Sequence, residues 1–152
     1  MNIEKAEVKD LEEILSLQKL AYISEAEIYN DYSIPPLVQT LESLREEYGN
    51  KLILKAVING KIVGSVRAYE DEGTCYIGRL FVHPEYQNKG IGTQLMKCIE
   101  EKFKESKRFE LFTGKKSIKN IYLYNKLGYK IFREERDNEI TMVYMEKSSV
   151  TS

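Results

Sequence analysis

The 152-residue chain predicts an α/β fold in which helices cover both faces of a mixed sheet. Asn59 and Gly60 separate two apolar runs, 52–58 and 61–67, and Asn-Gly between such runs is a strong signal for a two-residue β-hairpin. From residue 74 onwards a strand, a helix and another strand follow one another, which indicates a β-α-β unit. A hairpin and meander that precede such a unit give a mixed sheet with helices on both sides.

The N-terminal half supplies two predicted helices. A short strand over 3–6 leads to Asp10, and Asp10 with Glu13 three residues later matches a capping box at the start of the first helix. An acidic and aromatic segment follows over 24–36. The proline pair that closes this segment opens the second helix, and Gly49 is a suitable residue to end it.

The C-terminal half alternates strands and helices. The predicted elements are a strand over 74–82, a helix from 90 to about 104, a strand over 109–113, a helix over 117–127 and a hairpin of strands over 129–132 and 140–145. The predicted order of the whole chain is therefore β-α-α-β-β-β-α-β-α-β-β.

Composition and charge limit the classes of function. The 23 basic and 24 acidic residues give a net charge of -1, which disfavours nucleic acid or an anionic membrane as the main partner. Two cysteines and one histidine do not suffice for a structural metal site, so no metal is expected. No apolar run approaches the length of a membrane span, so no membrane association is expected. We expect one cytoplasmic domain over 1–147 and a frayed tail over 148–152.

A glycine-bearing loop follows the strand at 74–82. Residues 87–92 read Gln-Asn-Lys-Gly-Ile-Gly and open a helix. The first amides of a helix have no partner within the helix, so an anion can accept their hydrogen bonds, and Lys89 adds positive charge. The pattern is typical of a diphosphate-binding loop, although a tight turn before a helix also uses two glycines.

A dinucleotide-binding loop is the competing interpretation. Gly90 and Gly92 begin a G-x-G pattern, and Glu110 lies 20 residues beyond Gly90. However, Leu95 stands where the third glycine of that pattern belongs. The loop also follows three strands of the hairpin and meander rather than the first strand, so the sequence disfavours this interpretation.

Three segments of the chain resemble the GNAT superfamily of N-acetyltransferases. Residues 87–92 match the family pattern Q/R-x-x-G-x-G/A, residues 80–86 match its strand and turn, and residues 123–129 match its L-Y-x-x-x-G-F/Y helix end. The resemblance implies a mostly antiparallel sheet of about six to seven strands. It also implies acetyl transfer from acetyl-CoA (coenzyme A) to a small-molecule or peptide amine.

The resemblance also implies which residues form the site. In the family, the strand ending at 82 and the next strand separate, and the pantetheine arm lies between them. The tyrosine of the third segment donates a proton to the departing thiolate, which assigns Tyr124 that role. The implied cofactor-binding residues are Leu80, Phe81, Val82, Gln87, Asn88, Lys89, Gly90, Ile91, Gly92, Thr93, Ser117 and Asn120. Many relatives have asparagine where this chain has Ser117, so either Ser117 or Asn120 takes that contact.

The resemblance also implies that the acceptor pocket lies in the acidic and aromatic segment. Glu25, Glu27 and Tyr32 are the candidate acceptor-binding residues, and acid plus tyrosine suits a cationic amine. The general base is left open among these acids, the carboxylates at 70–72 and a water chain. A non-catalytic sensor or scaffold module that binds coenzyme A is the alternative function, and the protein is expected to be a monomer or homodimer.

Overall fold

The computed structural model describes residues 1–137 and 139–149. The strands are β1 (Asn2–Lys5), β2 (Leu52–Ile58), β3 (Lys61–Asp71), β4 (Thr74–Val82), β5 (Arg108–Gly114), β6 (Lys130–Asp137) and β7 (Ile140–Ser148). The helices are α1 (Leu11–Ala21), α2 (Ile23–Tyr29), α3 (Pro35–Val38), α4 (Leu41–Asn50), α5 (Ile91–Lys102) and α6 (Ile118–Lys126).

The seven strands form one sheet in the order β1-β2-β3-β4-β5-β7-β6. Only β4 and β5 pair in parallel, and every other neighbouring pair is antiparallel. The mixed, mostly antiparallel sheet predicted from the sequence is confirmed. The last hairpin folds back so that β7, rather than β6, lies beside β5.

The turn between β2 and β3 has the geometry that its sequence predicts. Asn59 and Gly60 have φ values of 50° and 77°, both in the left-handed region that a two-residue hairpin turn of type I′ requires. The turn brings Ile58 opposite Lys61 and thereby fixes the register of the two strands.

Helices pack on both faces of the sheet, as predicted. On one face, α1 and α4 enclose a core that includes Ile14, Leu44 and Phe81. On the opposite face, α5 and α6 cover a larger core to which Leu95 and Tyr124 contribute. The ends of β4 and β5 lie between these two layers, so groups from both faces can reach them.

The N-terminal helices differ from the prediction. The acidic and aromatic segment contains α2, which ends at Asn30 in the left-handed conformation with φ of 49°. The predicted second helix is divided into α3 and α4, because Gln39 is extended and Thr40 caps α4 by accepting a hydrogen bond from the Ser43 N–H at 3.1 Å.

The predicted capping box at Asp10 and Glu13 is wrong. The Asp10 carboxylate instead accepts hydrogen bonds from the Glu7 N–H at 2.8 Å and from Lys55 Nζ at 2.7 Å. Glu13 accepts a bond from the Ile62 N–H at 3.0 Å. Both carboxylates thus accept hydrogen bonds from groups outside α1, and neither caps the first turn of α1.

The predicted tail begins inside the last strand. Ser148 pairs with Arg108 in the β5–β7 ladder, and the Ser149 N–H donates to the Lys107 carbonyl oxygen at 3.1 Å. The remainder of the predicted tail, residues 150–152, lies outside the described residues.

The described part of the chain contains neither a candidate membrane span nor a candidate metal-binding group. None of the helices in the described ranges is both long and apolar enough to cross a bilayer. Among the same residues, no group of three or more His, Cys, Asp or Glu side chains is arranged to hold a metal ion.

Candidate active site

The candidate site lies where β4 and β5 separate. Thr74, Cys75 and Tyr76 pair with β5, but the rest of β4 has no partner on that side. A β-bulge accompanies the separation, because the β3–β4 register shifts opposite Arg79 and the φ of Arg79 is 47°. The result is a gap between the ends of two neighbouring strands.

A backbone amide at the end of β4 faces this gap. The His83 N–H donates to the Val63 carbonyl oxygen of β3 at 2.8 Å. Because N–H directions alternate along a strand, the Val82 N–H points away from β3 and towards the gap. The Val82 carbonyl oxygen lies on that same side, where it accepts a hydrogen bond from Gln87 Nε2 at 3.1 Å. Val82 therefore offers a backbone donor on the open side of β4.

The loop after β4 presents unpartnered amides at the start of α5. Gly90 adopts the left-handed conformation with φ of 82°, and the first helical hydrogen bond runs from the Gln94 N–H to the Gly90 carbonyl oxygen. The amides of Ile91, Gly92 and Thr93 precede that bond and have no acceptor within the helix. No atom lies within 4 Å of the position that a Gly90 Cβ would take, so the space beside these amides is open.

The side chains of the loop differ in their contacts and exposure. Gln87 holds the loop against β4 through Val82, whereas the Ile91 side chain is buried in the core and only its amide faces outward. Asn88, with φ of 63°, and Lys89 are exposed. The ammonium groups of Lys89 and Lys61 lie 5.5 and 5.9 Å from the centre of the Tyr86 ring. Lys61, which the sequence did not single out, therefore adds charge near the loop.

The start of α5 lies close to α6 and to the end of β4. A Cβ at Gly92 would lie 3.6 Å from Leu123 Cδ2 and 3.9 Å from Val82 Cγ2. Glycine at position 92 therefore places the first amides of α5 near the end of β4 without a side chain between them.

Tyr124 lies on α6 and contributes to the larger core. Its side chain is 7% exposed, and among the described residues no hydrogen bond engages its hydroxyl group. Burial raises the pKa of Tyr124 well above its ordinary value, and Tyr22 and Glu25 act in the same direction. The hydroxyl is consequently protonated throughout the neutral range, so Tyr124 can donate a proton or a hydrogen bond but cannot act as a base.

Glu25 joins α2 to the start of α6. Its carboxylate accepts hydrogen bonds from Ser117 Oγ at 2.6 Å and from Asn120 Nδ2 at 2.9 Å. The Tyr29 hydroxyl lies 2.7 Å from Ser117 Oγ and accepts a bond from the Lys116 N–H at 3.1 Å. Because Ser117 donates to Glu25, Tyr29 donates to Ser117. We call Glu25, Tyr29, Ser117 and Asn120 the Glu25 cluster.

The cluster changes how three predicted residues are interpreted. Ser117 and Asn120 were predicted to contact a cofactor, yet in the structure both side chains hold an acceptor-pocket candidate, Glu25. A side chain at Gly114 would collide with the Tyr29 ring, so the glycine that ends β5 allows α2 to approach. The predicted contacts of Ser117 and Asn120 with a cofactor remain predictions.

The other acceptor-pocket candidates lie apart from the cluster. Glu27 and Tyr32 are exposed, Tyr32 to 57%, and no hydrogen bond among the described residues joins either side chain to the Glu25 cluster.

Tyr22 is a residue near the site that the sequence did not single out. Its hydroxyl donates to the Leu80 carbonyl oxygen at 3.3 Å, and its ring packs edge-on against Phe81. Its position directly before the acidic segment was the available signal.

The fold thus combines free amides at a helix start, a gap between two strands and a buried tyrosine, and an acyl-transfer site can use all three. The chain belongs to the acetyltransferase (GNAT) family, whose model matches residues 11–129. Among curated relatives, it is 28% identical over 117 residues to the UPF0157 protein YqkA of Bacillus subtilis and 34% identical over 73 residues to the uncharacterized protein YdhI of the same organism. These matches cover 77% and 47% of this chain but only 34% and 44% of the relatives, so the chain spans less than half their length.

Solved structures share the fold over almost the whole chain. The PaiA N-acetyltransferase of Thermoplasma acidophilum, solved in complex with coenzyme A, has a TM-score of 0.81 at 22% identity and covers 97% of this chain and 99% of its own. The ribosomal-protein-S18-alanine N-acetyltransferase of Escherichia coli has a TM-score of 0.83 at 16% identity and covers 99% and 95%. At these identities the likeness establishes the fold alone.

Proposed function

We propose that the protein transfers an acetyl group from acetyl-CoA to an amine by direct attack of the amine on the thioester. The observation that carries this proposal is the combination of two features in one fold. Unpartnered amides open α5 directly after β4, and α6 carries a buried, protonated tyrosine without a hydrogen bond among the described residues. Membership of the acetyltransferase family supports the same reaction class.

The residues of the loop fit a pyrophosphate group. The amides of Ile91, Gly92 and Thr93 are free, the positive end of the α5 dipole points at the same space, and that space is open beside Gly90. Lys89 and Lys61 add positive charge. Two structures with the same fold, PaiA and an aminoglycoside 6'-N-acetyltransferase, were solved with coenzyme A, which further supports this assignment.

The loop directly follows β4, so a ligand whose pyrophosphate is bound there can extend towards the gap between β4 and β5. Acetyl-CoA supplies an activated thioester there. The Val82 N–H donates to the carbonyl oxygen on which negative charge develops as the amine attacks, and such preorganised donors commonly contribute a large share of catalysis. The new C–N bond forms as the C–S bond breaks, and the sulfur leaves as a thiolate.

Two groups handle the protons. Glu25, held by Ser117 and Asn120, accepts a proton from the incoming ammonium group, and the held carboxylate keeps a fixed position for this task. The Tyr124 hydroxyl donates to the departing sulfur. Because the pKa of Tyr124 is raised, its proton is always present, and its contribution is a hydrogen bond that stabilises the thiolate with only partial proton transfer.

Acetyl-CoA is expected to raise the melting temperature and to release free thiol only when an amine is present. Ligand at about 100 times its Kd stabilises a folded protein by about 2.7 kcal/mol, which for a domain of this size raises Tm by several degrees. Differential scanning calorimetry and a thiol-release assay over a panel of amines check both results. Pantetheine, which lacks the pyrophosphate, serves as the control and is expected to shift Tm far less.

The same measurements separate catalysis from mere binding. A Tm shift without acetylation of any amine would identify a non-catalytic module that binds coenzyme A. Absence of any Tm shift at millimolar acetyl-CoA would contradict the proposed function as a whole.

A further inference from the structure

An unpaired arginine lines a cleft beside the candidate site. The cleft has a volume of about 580 Å³ and is bordered by α3, α4 and the bulge of β4, where Arg79 forms part of its wall. Among the described residues no hydrogen bond or ion pair engages the Arg79 guanidinium, and its Nε is buried without a partner. A buried cationic donor without an acceptor is costly, because its lost hydration is not replaced.

One of the two carboxylates in the cleft wall already has other partners. Glu47 accepts hydrogen bonds from Lys51 Nζ at 2.9 Å and from Gln39, and Arg67 lies 3.4 Å from its second oxygen. Burial acts to raise the pKa of Glu47, but Arg67 and Lys51 outweigh it and hold that pKa below its ordinary value. Glu46, the other carboxylate that lines the cleft, is exposed and forms no ion pair with Arg79.

A second buried arginine lies behind the first. Arg67 is 1% exposed and bonds to Gln18, Gln39 and Glu47. Burial lowers its pKa to about 10, and although Glu47 opposes this change, the charge of Arg79 adds to it. Arg67 is therefore cationic at neutral pH, and the two guanidinium groups repel each other. Two cations, Arg79 and Lys51, and two carboxylates, Glu46 and Glu47, line the cleft, and the buried Arg67 adds a third positive charge behind its wall. This excess of positive charge favours an additional anion in the cleft.

Arg79 is the residue of the cleft that lies next to the candidate active site in the chain. Leu80, the next residue, accepts the hydrogen bond from Tyr22, and the charge of Arg79 acts on the pKa of Tyr22 against the larger effect of burial. Three residues of strand separate Arg79 from Val82, a distance of about 10 Å. That distance is within the length of a small extended molecule.

We propose that Arg79 binds a carboxylate of the acceptor, so that the acceptors are amino acids or short peptides whose amine and carboxylate lie up to about 10 Å apart. This inference rests on the proposed acetyltransferase function. The guanidinium group of arginine can donate two parallel N–H hydrogen bonds to a carboxylate. An acceptor molecule without a charged group at that position cannot form this pair. The amine then points to Glu25 while the carboxylate neutralises Arg79.

Binding of matched ligand pairs tests this directly. The probes are glycine, β-alanine, γ-aminobutyrate, δ-aminovalerate and ε-aminocaproate, each compared with its primary amide. Calorimetric titration gives a Kd for each probe. Coenzyme A is present in the titration and carries no acetyl group, so the probes are not acetylated. At least one carboxylate is expected to bind about 10-fold or more tightly than its amide, as for a charge-assisted hydrogen bond.

Two variants of Arg79 test whether this residue causes the preference for the carboxylate over the amide. Arg79→Gln is expected to abolish the preference for the carboxylate, and Arg79→Lys is expected to keep part of it. Arg45→Gln serves as the matched control, because Arg45 is exposed on α4 and does not line the cleft. Equal binding of every pair by the natural protein, a preference that survives in Arg79→Gln, or no binding of any probe would overturn the inference.

Turnover separates this inference from the function on which it rests. Acetyl transfer to simple amines without any carboxylate preference would overturn the role of Arg79 alone. Carboxylate preference in binding, with no acetyl transfer to any amine, would overturn the acetyltransferase proposal and leave an anion site at Arg79.

Discussion

Tyr124→Phe is expected to lower kcat by about 100-fold or more while leaving the Kd of coenzyme A nearly unchanged. The substitution removes only a hydroxyl group, and among the described residues that group has no hydrogen-bond partner to lose. The fold should therefore tolerate the change. The departing thiolate, however, would lose its donor in a buried environment where solvent does not replace it. Steady-state kinetics and a binding titration measure the two quantities.

Tyr122→Phe is the matched control for this experiment. Tyr122 lies on the same helix but is 64% exposed, with its ring beside the ammonium group of Lys126. It should retain full activity. If Tyr124→Phe also retained full activity, the assignment of Tyr124 as the donor would be wrong, and the hydrogen bond to the sulfur would have to come from another group.

Gly90→Val is expected to weaken coenzyme A binding by about 100-fold or more. Gly90 has φ of 82°, a conformation that a β-branched residue strongly disfavours, and a side chain there would enter the open space beside the α5 amides. Loss of two charge-assisted hydrogen bonds to phosphate costs about 3 kcal/mol, which corresponds to more than 100-fold in Kd. Isothermal titration calorimetry with coenzyme A provides the measurement.

Gly60→Val is the control that separates loss of coenzyme A binding from the effect of backbone strain. Gly60 has a similar φ of 77° and likewise has no atom within 4 Å of the position of a Cβ, but it lies in the β2–β3 turn. Both variants should lose comparable stability, and only Gly90→Val should lose affinity. Equal affinities in the two variants would contradict the phosphate-binding role of the loop.

Local signals in the sequence predicted most of the fold. Asn59 and Gly60 predicted the hairpin, because only particular residues adopt its left-handed turn, and the pattern after residue 74 predicted β4, α5, β5 and α6. The missed features depend on tertiary contacts. The helix α2 follows α1 with a single residue between them, and β7 inserts beside β5 by long-range pairing that no local pattern encodes.

The candidate site likewise contains some features that the local sequence predicts and others that depend on tertiary contacts. The amides at the start of α5 follow from local chain geometry, and Tyr124 follows from the resemblance of its segment to the family. By contrast, Glu25 and Ser117 are separated by 92 residues in the chain, and only the packing of α2 against α6 brings them together. No signal in the sequence indicates that Arg79 is unpaired, because the partners of Glu47 in the same cleft are Arg67 and Lys51, which only the tertiary fold brings to it.

A crystal structure with coenzyme A bound is the most direct test of how this site works. The account predicts that pyrophosphate oxygens accept hydrogen bonds of about 3 Å from the amides of Ile91 and Gly92, and that the sulfur lies within reach of the Tyr124 hydroxyl. A complex with the pyrophosphate bound elsewhere, or with the sulfur remote from Tyr124, would contradict it.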